Sequence, residues 1–349
     1  MRNMKSFWQG LPKPFFVMAP MADVTDVAFR ALVAKRGAPD VFWTEFVSAD
    51  GLYHTREVLK MPDDENPLMR DLAIGDGQRP IVAQIFSSKP EMVTYATKLV
   101  SELGFDGVDL NMGCPDRSIE RQGAGAAMIK TPEVARAVIR AAKGASSLPV
   151  SVKTRVGYNK ETLEEWLPVI LEEAPAALTV HLRTRKQLSL VPADWGLMKK
   201  VVEIRNRVNP DVLIIGNGDV TSVEQGAQLI AESGCDGAMI GRGMFGNPWV
   251  FEGISELRKS HADMEFQGLR KSGVPEGFKK SEHGLSEKLS ALVELAHDFE
   301  KISPPKNFSI LKKHIKAFVT GFAGAADLRA KLMEANSAAE LESILAQNT

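Results

Sequence analysis

The sequence is short of cysteine, of long apolar runs and of net charge. Its two cysteines, Cys114 and Cys235, lie far apart and form no CxxC, so neither a disulfide scaffold nor a zinc site is indicated and a reducing cytoplasm suits the chain. No apolar run approaches the roughly 18 residues of a membrane span, and the stretch Phe15-Phe16-Val17-Met18-Ala19-Pro20 is too short, and too soon broken by Asp23, for a signal-peptide core. No membrane partner, no export and no metal are expected. With a net charge of −1 and a pI near 6.6, composition gives no support for nucleic-acid binding, so any such partner must be read from local charge. What is present is ordinary for a folded protein: 44% hydrophobic and 25% charged residues over 349 positions, enough for one large α/β domain with an appendage, or for two domains.

Eight short apolar runs recur, at residues 15–20, 41–47, 81–86, 107–113, 149–155, 177–183, 212–218 and 237–243. Between them lie segments with helical spacing, at 26–36, 90–103, 132–143, 162–172, 194–208 and 222–233, several opening on proline or a capping residue. Strands alternating with helices imply right-handed βαβ units, and eight of them over roughly 240 residues match a closed (β/α)8 TIM barrel, with an open doubly wound sheet as the alternative. The barrel is expected over residues 1–255 and a polar, glycine-dotted linker or long loop over 256–284. A small all-helical C-terminal domain follows over 285–349. In that tail Leu285, Leu289, Leu292, Ala296 and Phe299 form one apolar stripe. Phe308, Leu311, Ile315, Phe318 and Phe322 form another, on a helix starting at Ser303-Pro304. Lys312, Lys313 and Lys316 fall away from the second stripe as a basic face, which simple solvation would also explain.

Ligands bind over the C-terminal ends of barrel strands, and here those ends are polar. The fourth run ends in Asn111-Met112-Gly113-Cys114-Pro115, where Gly113 and Pro115 set a turn that presents a thiol. A free cysteine is ordinarily just a buried small residue, so the neighbouring ends carry the weight: Glu45, Gln84, Lys153 with Arg155, and His181 with Arg183. Individually these have structural explanations as hydrogen-bonded core residues or snorkelling cations. The last two runs end in Gly216-Asn217-Gly218-Asp219 and Gly241-Arg242-Gly243, turns whose backbone N–H groups suit a phosphate, with Arg242 adding charge. Gly241–Gly246 also satisfies GxGxxG, but it follows the last strand with no βαβ unit after it, so a dinucleotide fold is rejected.

Together with Ala19-Pro20-Met21-Ala22-Asp23, Gly123-Ala124-Gly125-Ala126, Val152-Lys153-Thr154-Arg155 and His181-Leu182-Arg183-Thr184-Arg185, these motifs resemble the tRNA-dihydrouridine synthase family, flavin-dependent reductases with an FMN-binding barrel and a helical tail. The resemblance implies that Pro20, Met21 and Ala22 lie under the flavin ring, with Gln84 and Lys153 at its polar edge and His181 beside it. Asn217, Gly218, Asp219, Gly241 and Arg242 would surround the phosphate. It implies reduction of the C5=C6 bond of tRNA uridines, with NADPH or NADH as reductant, hydride passing from FMN to C6 and a proton from Cys114 to C5. An unperturbed thiol is mostly protonated at neutral pH, as an acid must be. Asn111 is the candidate for reading the uracil edge. Arg117, Arg121, Arg183 and Arg185 would meet nearby RNA phosphates, and Lys312, Lys313 and Lys316 more distant ones.

The same donor and acid would also serve a flavin barrel that reduces a free pyrimidine or another small activated alkene, although a separate basic helix has little use there. Leu182 and the segment Gln187-Leu188-Ser189-Leu190-Val191-Pro192 depart from the family's glycine and aromatic-glycine pattern. Cys235 reads as a packed small residue without chemistry.

Overall fold

A computed structural model of the chain describes residues 6–259 and 283–348. Eight parallel strands, β1 (Phe15–Met18), β2 (Phe42–Ser48), β3 (Ile81–Phe86), β4 (Gly107–Met112), β5 (Val150–Arg155), β6 (Ala177–His181), β7 (Leu213–Asn217) and β8 (Gly237–Ile240), pair in the order β1-β8-β7-β6-β5-β4-β3-β2. A parallel bridge between Val17 and Val41, just before β2, brings the two ends together and closes the barrel. Side chains alternate across each strand. Phe15 and Val17 join Trp43, Val82, Ile215 and Met239 inside the barrel, whereas Phe16 and Met18 pack outward under the helices. Both faces are buried, which is why the strands read as continuous apolar runs.

The expected strands and barrel helices are present with ends shifted by no more than three residues. Asp26 caps the helix Val27–Arg36 by accepting from the Phe29 N–H, Ser222 caps Val223–Ser233 through Gln225, and Pro90 and Pro132 open the helices after β3 and β4. Strand ends predicted to run to Pro20, Arg183 and Gly243 leave the ladder earlier, because those residues form the turns of the barrel mouth.

In the tail, helix Leu285–Glu300 packs on Val27–Arg36, and Lys35 and Arg36 both bond Glu294. Leu289, Leu292, Ala296 and Phe299 are buried as expected, while Leu285 is exposed. The second stripe is divided differently from the expectation. A 3-10 turn, Phe308–Leu311, begins where the Asn307 side chain accepts from the Ser309 N–H, and the α-helix Lys312–Phe318 follows, leaving Phe322 beyond it. Ser303-Pro304 precedes the helix and does not start it. Two further helices, Ala325–Leu332 and Ala338–Ala346, complete the described part of the tail. Of the expected linker, residues 260–282 lie outside the described residues. Among the described residues no helix is long and apolar enough to cross a membrane.

Candidate active site

Inward positions of β3, β4 and β5 carry a ladder of polar side chains that climbs to the mouth. At its base the buried Asp109 accepts from Ser151 Oγ (2.6 Å) and Gln84 Nε2 (2.6 Å). Gln84 Oε1 in turn accepts from Asn111 Nδ2 (2.9 Å), and Asn111 Oδ1 accepts from the backbone N–H groups of Gly113 (3.1 Å) and Cys114 (2.9 Å). The two strand registers that set Gln84 beside Asp109 and Asp109 beside Ser151 make this chain possible. Burial pushes the Asp109 carboxyl up to about 6, with the Ser151 and Gln84 hydrogen bonds opposing it, so it remains a carboxylate at neutral pH.

The turn at Cys114 is fixed from three further sides. Arg155 Nε donates to the Gly113 carbonyl (2.7 Å) and the Ala126 N–H donates to the Cys114 carbonyl (2.9 Å). Gly125, at φ 60°, lies so close that a Cβ there would come within 2.7 Å of the same carbonyl, so only glycine fits. The thiol is half-buried, and burial raises its pKa above the ordinary thiol value against the lowering charges of Arg155 and Lys153. Cys114 is therefore a neutral thiol at physiological pH, suited to giving a proton.

Over the ends of β1, β5, β6, β7 and β8 opens a cavity of about 550 Å³, whose lining includes Lys153 on the strand next to β4 but not Cys114 itself. Ala19, Pro20 and Met21 form an apolar wall, Lys153 and Asn217 a polar side, and Gly218, Asp219, Gly241, Arg242 and Gly243 the far end. Lys153 Nζ donates to Asn217 Oδ1 (3.0 Å), whose own amide N–H is tied to the Met239 carbonyl (3.0 Å). Burial, then the charge of Arg155, lowers Lys153 to about 8, leaving it mostly protonated at pH 7. His181 is held neutral by burial and by the surrounding cations, Lys153 first among them. Its Nε2 stands 3.0 Å from Arg183 Nη1, and because a guanidinium only donates, Nε2 accepts and the ring proton sits on Nδ1.

Asp219, at φ 57°, bonds both Arg183 and Arg242 and accepts from the Ala193 N–H (2.8 Å). Burial alone would raise its pKa, but the Arg183 hydrogen bond and its other partners outweigh burial and hold it below the usual carboxylate range. Lys153, Arg183 and Arg242 against Asp219 leave the cavity with a positive excess. An apolar wall, a cationic polar edge and a glycine-lined cationic end fit a flat heteroaromatic group carrying a phosphate. At the glycine end a Cβ on Gly243 would meet the Val220 carbonyl at 2.8 Å and one on Gly218 would meet Ala193 at 2.6 Å, so the backbone there tolerates no larger residue.

Most of the residues expected around a flavin line this one cavity: Pro20, Met21, Lys153, His181, Asn217, Gly218, Asp219, Gly241 and Arg242. Two do not. Gln84 is fully buried below the mouth with its amide committed to Asp109 and Asn111, and Ala22 is exposed outside the cavity lining. Asn111, expected to read a base, is 6% exposed and spends its side chain on Gln84 and the Cys114 turn.

Arg183, expected to face RNA, is 2% exposed and turned inward to His181, Asp219 and the Val191 carbonyl. Arg185 pairs with Glu120 and lies 5.4 Å over the Tyr158 ring, while Arg117 and Arg121 are exposed on the flanking segment. Lys313 pairs with Asp23 (3.0 Å), Lys316 is exposed, and Lys312 is half-buried. Sequence reasoning passed over Lys306, whose side chain enters the barrel edge to bond Glu45, and gave Arg155 no positioning role. The first had no local signal. The second had one, an arginine at an inward strand position.

A family model described as dihydrouridine synthase (Dus) matches residues 17–349. A Staphylococcus epidermidis protein described as a probable tRNA-dihydrouridine synthase is 36% identical over 342 residues, 98% of this chain and 95% of its own length. A Bacillus subtilis protein described as probable tRNA-dihydrouridine synthase 2 is 38% identical over 342 residues, 98% and 96% of the two chains. Among solved structures, a 2-naphthoyl-CoA reductase superposes with a TM-score of 0.53 at 10% identity, over 69% of this chain and 50% of that one. Histamine dehydrogenase from Rhizobium does so at 0.50 and 15%, over 70% and 46%. At those identities the two structures speak to fold alone.

Proposed function

The chain belongs to the dihydrouridine synthase family of flavin-dependent oxidoreductases, and from that premise we propose that it reduces the C5=C6 bond of specific uridines in tRNA to dihydrouridine, in the cytoplasm. The observation that carries the mechanism is the placement of Cys114, whose turn Asn111 and Arg155 hold at the end of β4, next to the strand that carries Lys153, where burial favours the protonated thiol. Pro20, Met21, Lys153 and Asn217 would hold an FMN in the cavity they line, which would supply hydride chemistry toward uracil C6 with NADPH or NADH as the reductant.

This chain's own residues do the rest. Lys153, aimed by Asn217, keeps a positive charge at the polar edge, where exclusion of water gives it most effect. Arg242, aimed by Asp219, and the glycine turns would hold the FMN phosphate. Cys114 gives its proton to C5: the S–H bond breaks, the C5–H bond forms, and the thiolate left behind has Arg155 and Lys153 for neighbours until it is reprotonated from solvent. A stacked uridine must leave its stack to reach this site. The exposed Arg117 and Arg121 suit the phosphates around it.

The purified protein is expected to be yellow and to bleach anaerobically with NADPH. Cys114→Ala should bleach at the wild-type rate yet lose dihydrouridine formation on unmodified tRNA by ~10²–10⁴-fold, the usual worth of a general acid. Equal loss of both half-reactions would remove the acid role, and turnover of free uracil in place of tRNA would favour the small-molecule reading.

A further inference from the structure

Eight large apolar side chains stand exposed among the described residues, and three of them, Leu188, Leu190 and Val191, share the loop that follows β6. Leu190 is the most exposed of all, at 81%. The loop borders the cofactor cavity, since Ser189 between these residues lines it. Its backbone is pinned by side chains of the site itself. Arg155, which also holds the Cys114 turn, donates to the Leu188 carbonyl (3.0 Å), and Arg183, which holds His181, donates to the Val191 carbonyl (2.6 Å). Leu188 adopts φ 52°, a left-handed conformation that a branched aliphatic residue takes only when its surroundings impose it. Anchored carbonyls below and strain at Leu188 fix the loop so that Leu190 points into solvent at the rim.

Hydrophobic burial opposes that arrangement unless something apolar arrives to cover it. The neighbouring charge says what arrives. Lys186, on the same loop, is exposed, and Arg185 ties the loop to Glu120, between the exposed Arg117 and Arg121. An apolar tip on a loop that carries the exposed Lys186, and that Arg185 ties to the segment of Arg117 and Arg121, matches a nucleic acid, whose phosphates meet the cations while a base face meets the leucine.

We propose that Leu190 is a wedge that inserts into the base stack next to the reacting uridine and occupies the space the flipped base leaves. This rests on the proposed reduction of tRNA uridines and adds the device by which the base is extracted. Leu190 lies outside the cofactor cavity, so its role falls on RNA handling and not on flavin reduction.

The test compares wild type, Leu190→Ala and Leu190→Asp. Flavin bleaching by NADPH should be the same in all three. On unmodified tRNA, Leu190→Ala should lower kcat/KM by about 10-fold, as expected when one base-stacking contact is lost, and Leu190→Asp by more. A transcript with 2-aminopurine beside the uridine that the wild type reduces should brighten on binding wild type and stay quenched with Leu190→Ala.

Wild-type activity on tRNA with an unchanged Leu190→Ala rate or an unchanged 2-aminopurine signal overturns the wedge and leaves the proposed function standing. A wild type inactive on tRNA overturns both. If Leu190→Asp instead converts an oligomer to a monomer while tRNA reduction is kept, the apolar tip is a contact between copies of this chain, and the wedge is wrong.

Discussion

Cys114 is placed by Asn111 more than by its own surroundings. One amide oxygen takes the backbone N–H groups of both Gly113 and Cys114, and the amide nitrogen is anchored through Gln84 to Asp109. Asn111→Ala leaves two N–H groups without their acceptor and loosens the turn even though Arg155 and Ala126 still hold its carbonyls, and a misplacement near 1 Å costs about 10²-fold in a positioned reaction. Dihydrouridine formation should therefore drop by about 10²-fold, while bleaching by NADPH, which does not use the thiol, stays within about twofold of wild type; comparison of the two half-reactions at pH 7 is the check. Asn111→Asp keeps both acceptor contacts but turns the donor to Gln84 into a second acceptor near the buried Asp109, so it should recover only part of the lost rate. The sequence marked Asn111 as a polar strand end at the site but not as the residue that holds the turn. Its partners depend on the register between β3 and β4, which no local pattern encodes. Arg183 is the same case: its place in the motif was visible, but its inward turn depends on Asp219, thirty-six positions away.

At the scale of elements, the tail is joined to the barrel by a buried charge cluster. Lys306 bonds Glu45 at β2 and stands 3.5 Å from Asp71 and 3.9 Å from Asp26, with its side chain 2% exposed. Glu45 also accepts from the Asp23 N–H, in the loop that begins with Met21 at the cofactor wall, so the tail helps shape that loop. Burial raises Glu45 to about 7, with the Lys306 charge pulling the other way. A carboxyl whose folded pKa exceeds its unfolded value of 4.5 binds protons more tightly when folded. Its contribution is therefore full at low pH and falls as pH rises toward the folded value. Lys306→Met removes the compensating cation, which raises the folded pKa further. The variant should lose about 3–5 kcal/mol at pH 8, as when one partner of a buried pair is deleted. The loss should shrink toward pH 5.5, where Glu45 is protonated; thermal melts of both proteins at the two pH values measure it. A pH-independent difference in melting temperature would show that Lys306 acts by packing alone. The barrel elements themselves were legible, because each strand buries two faces and several helices open on a proline or a capping residue. The joint was not, because Lys306 lies in a short polar stretch after two prolines and finds its partners more than two hundred residues away.

Across the whole molecule, charge is nearly balanced, so affinity for RNA has to come from a local excess. The cavity, together with the segment after β4 that exposes Arg117 and Arg121, supplies one such region, and the helix Lys312–Phe318 is the candidate for a second. Its three lysines are not equivalent. Lys313 is engaged with Asp23, next to the cofactor loop, whereas Lys316 is exposed and Lys312 half-buried. Reversing all three would confound RNA binding with damage at the mouth, so the informative variant is Lys312→Glu with Lys316→Glu, leaving Lys313 in place. Each phosphate contact releases a counterion, so loss of two contacts should flatten the slope of log affinity against log salt by about 2 and weaken tRNA binding at low salt. KM for tRNA should rise with kcat little changed, because the helix holds the substrate at a distance from the reacting atoms. Flavin bleaching should be unaffected. Binding titrations over a range of salt decide the matter: a slope equal to wild type would make this face ordinary solvated surface and leave RNA affinity to the barrel rim.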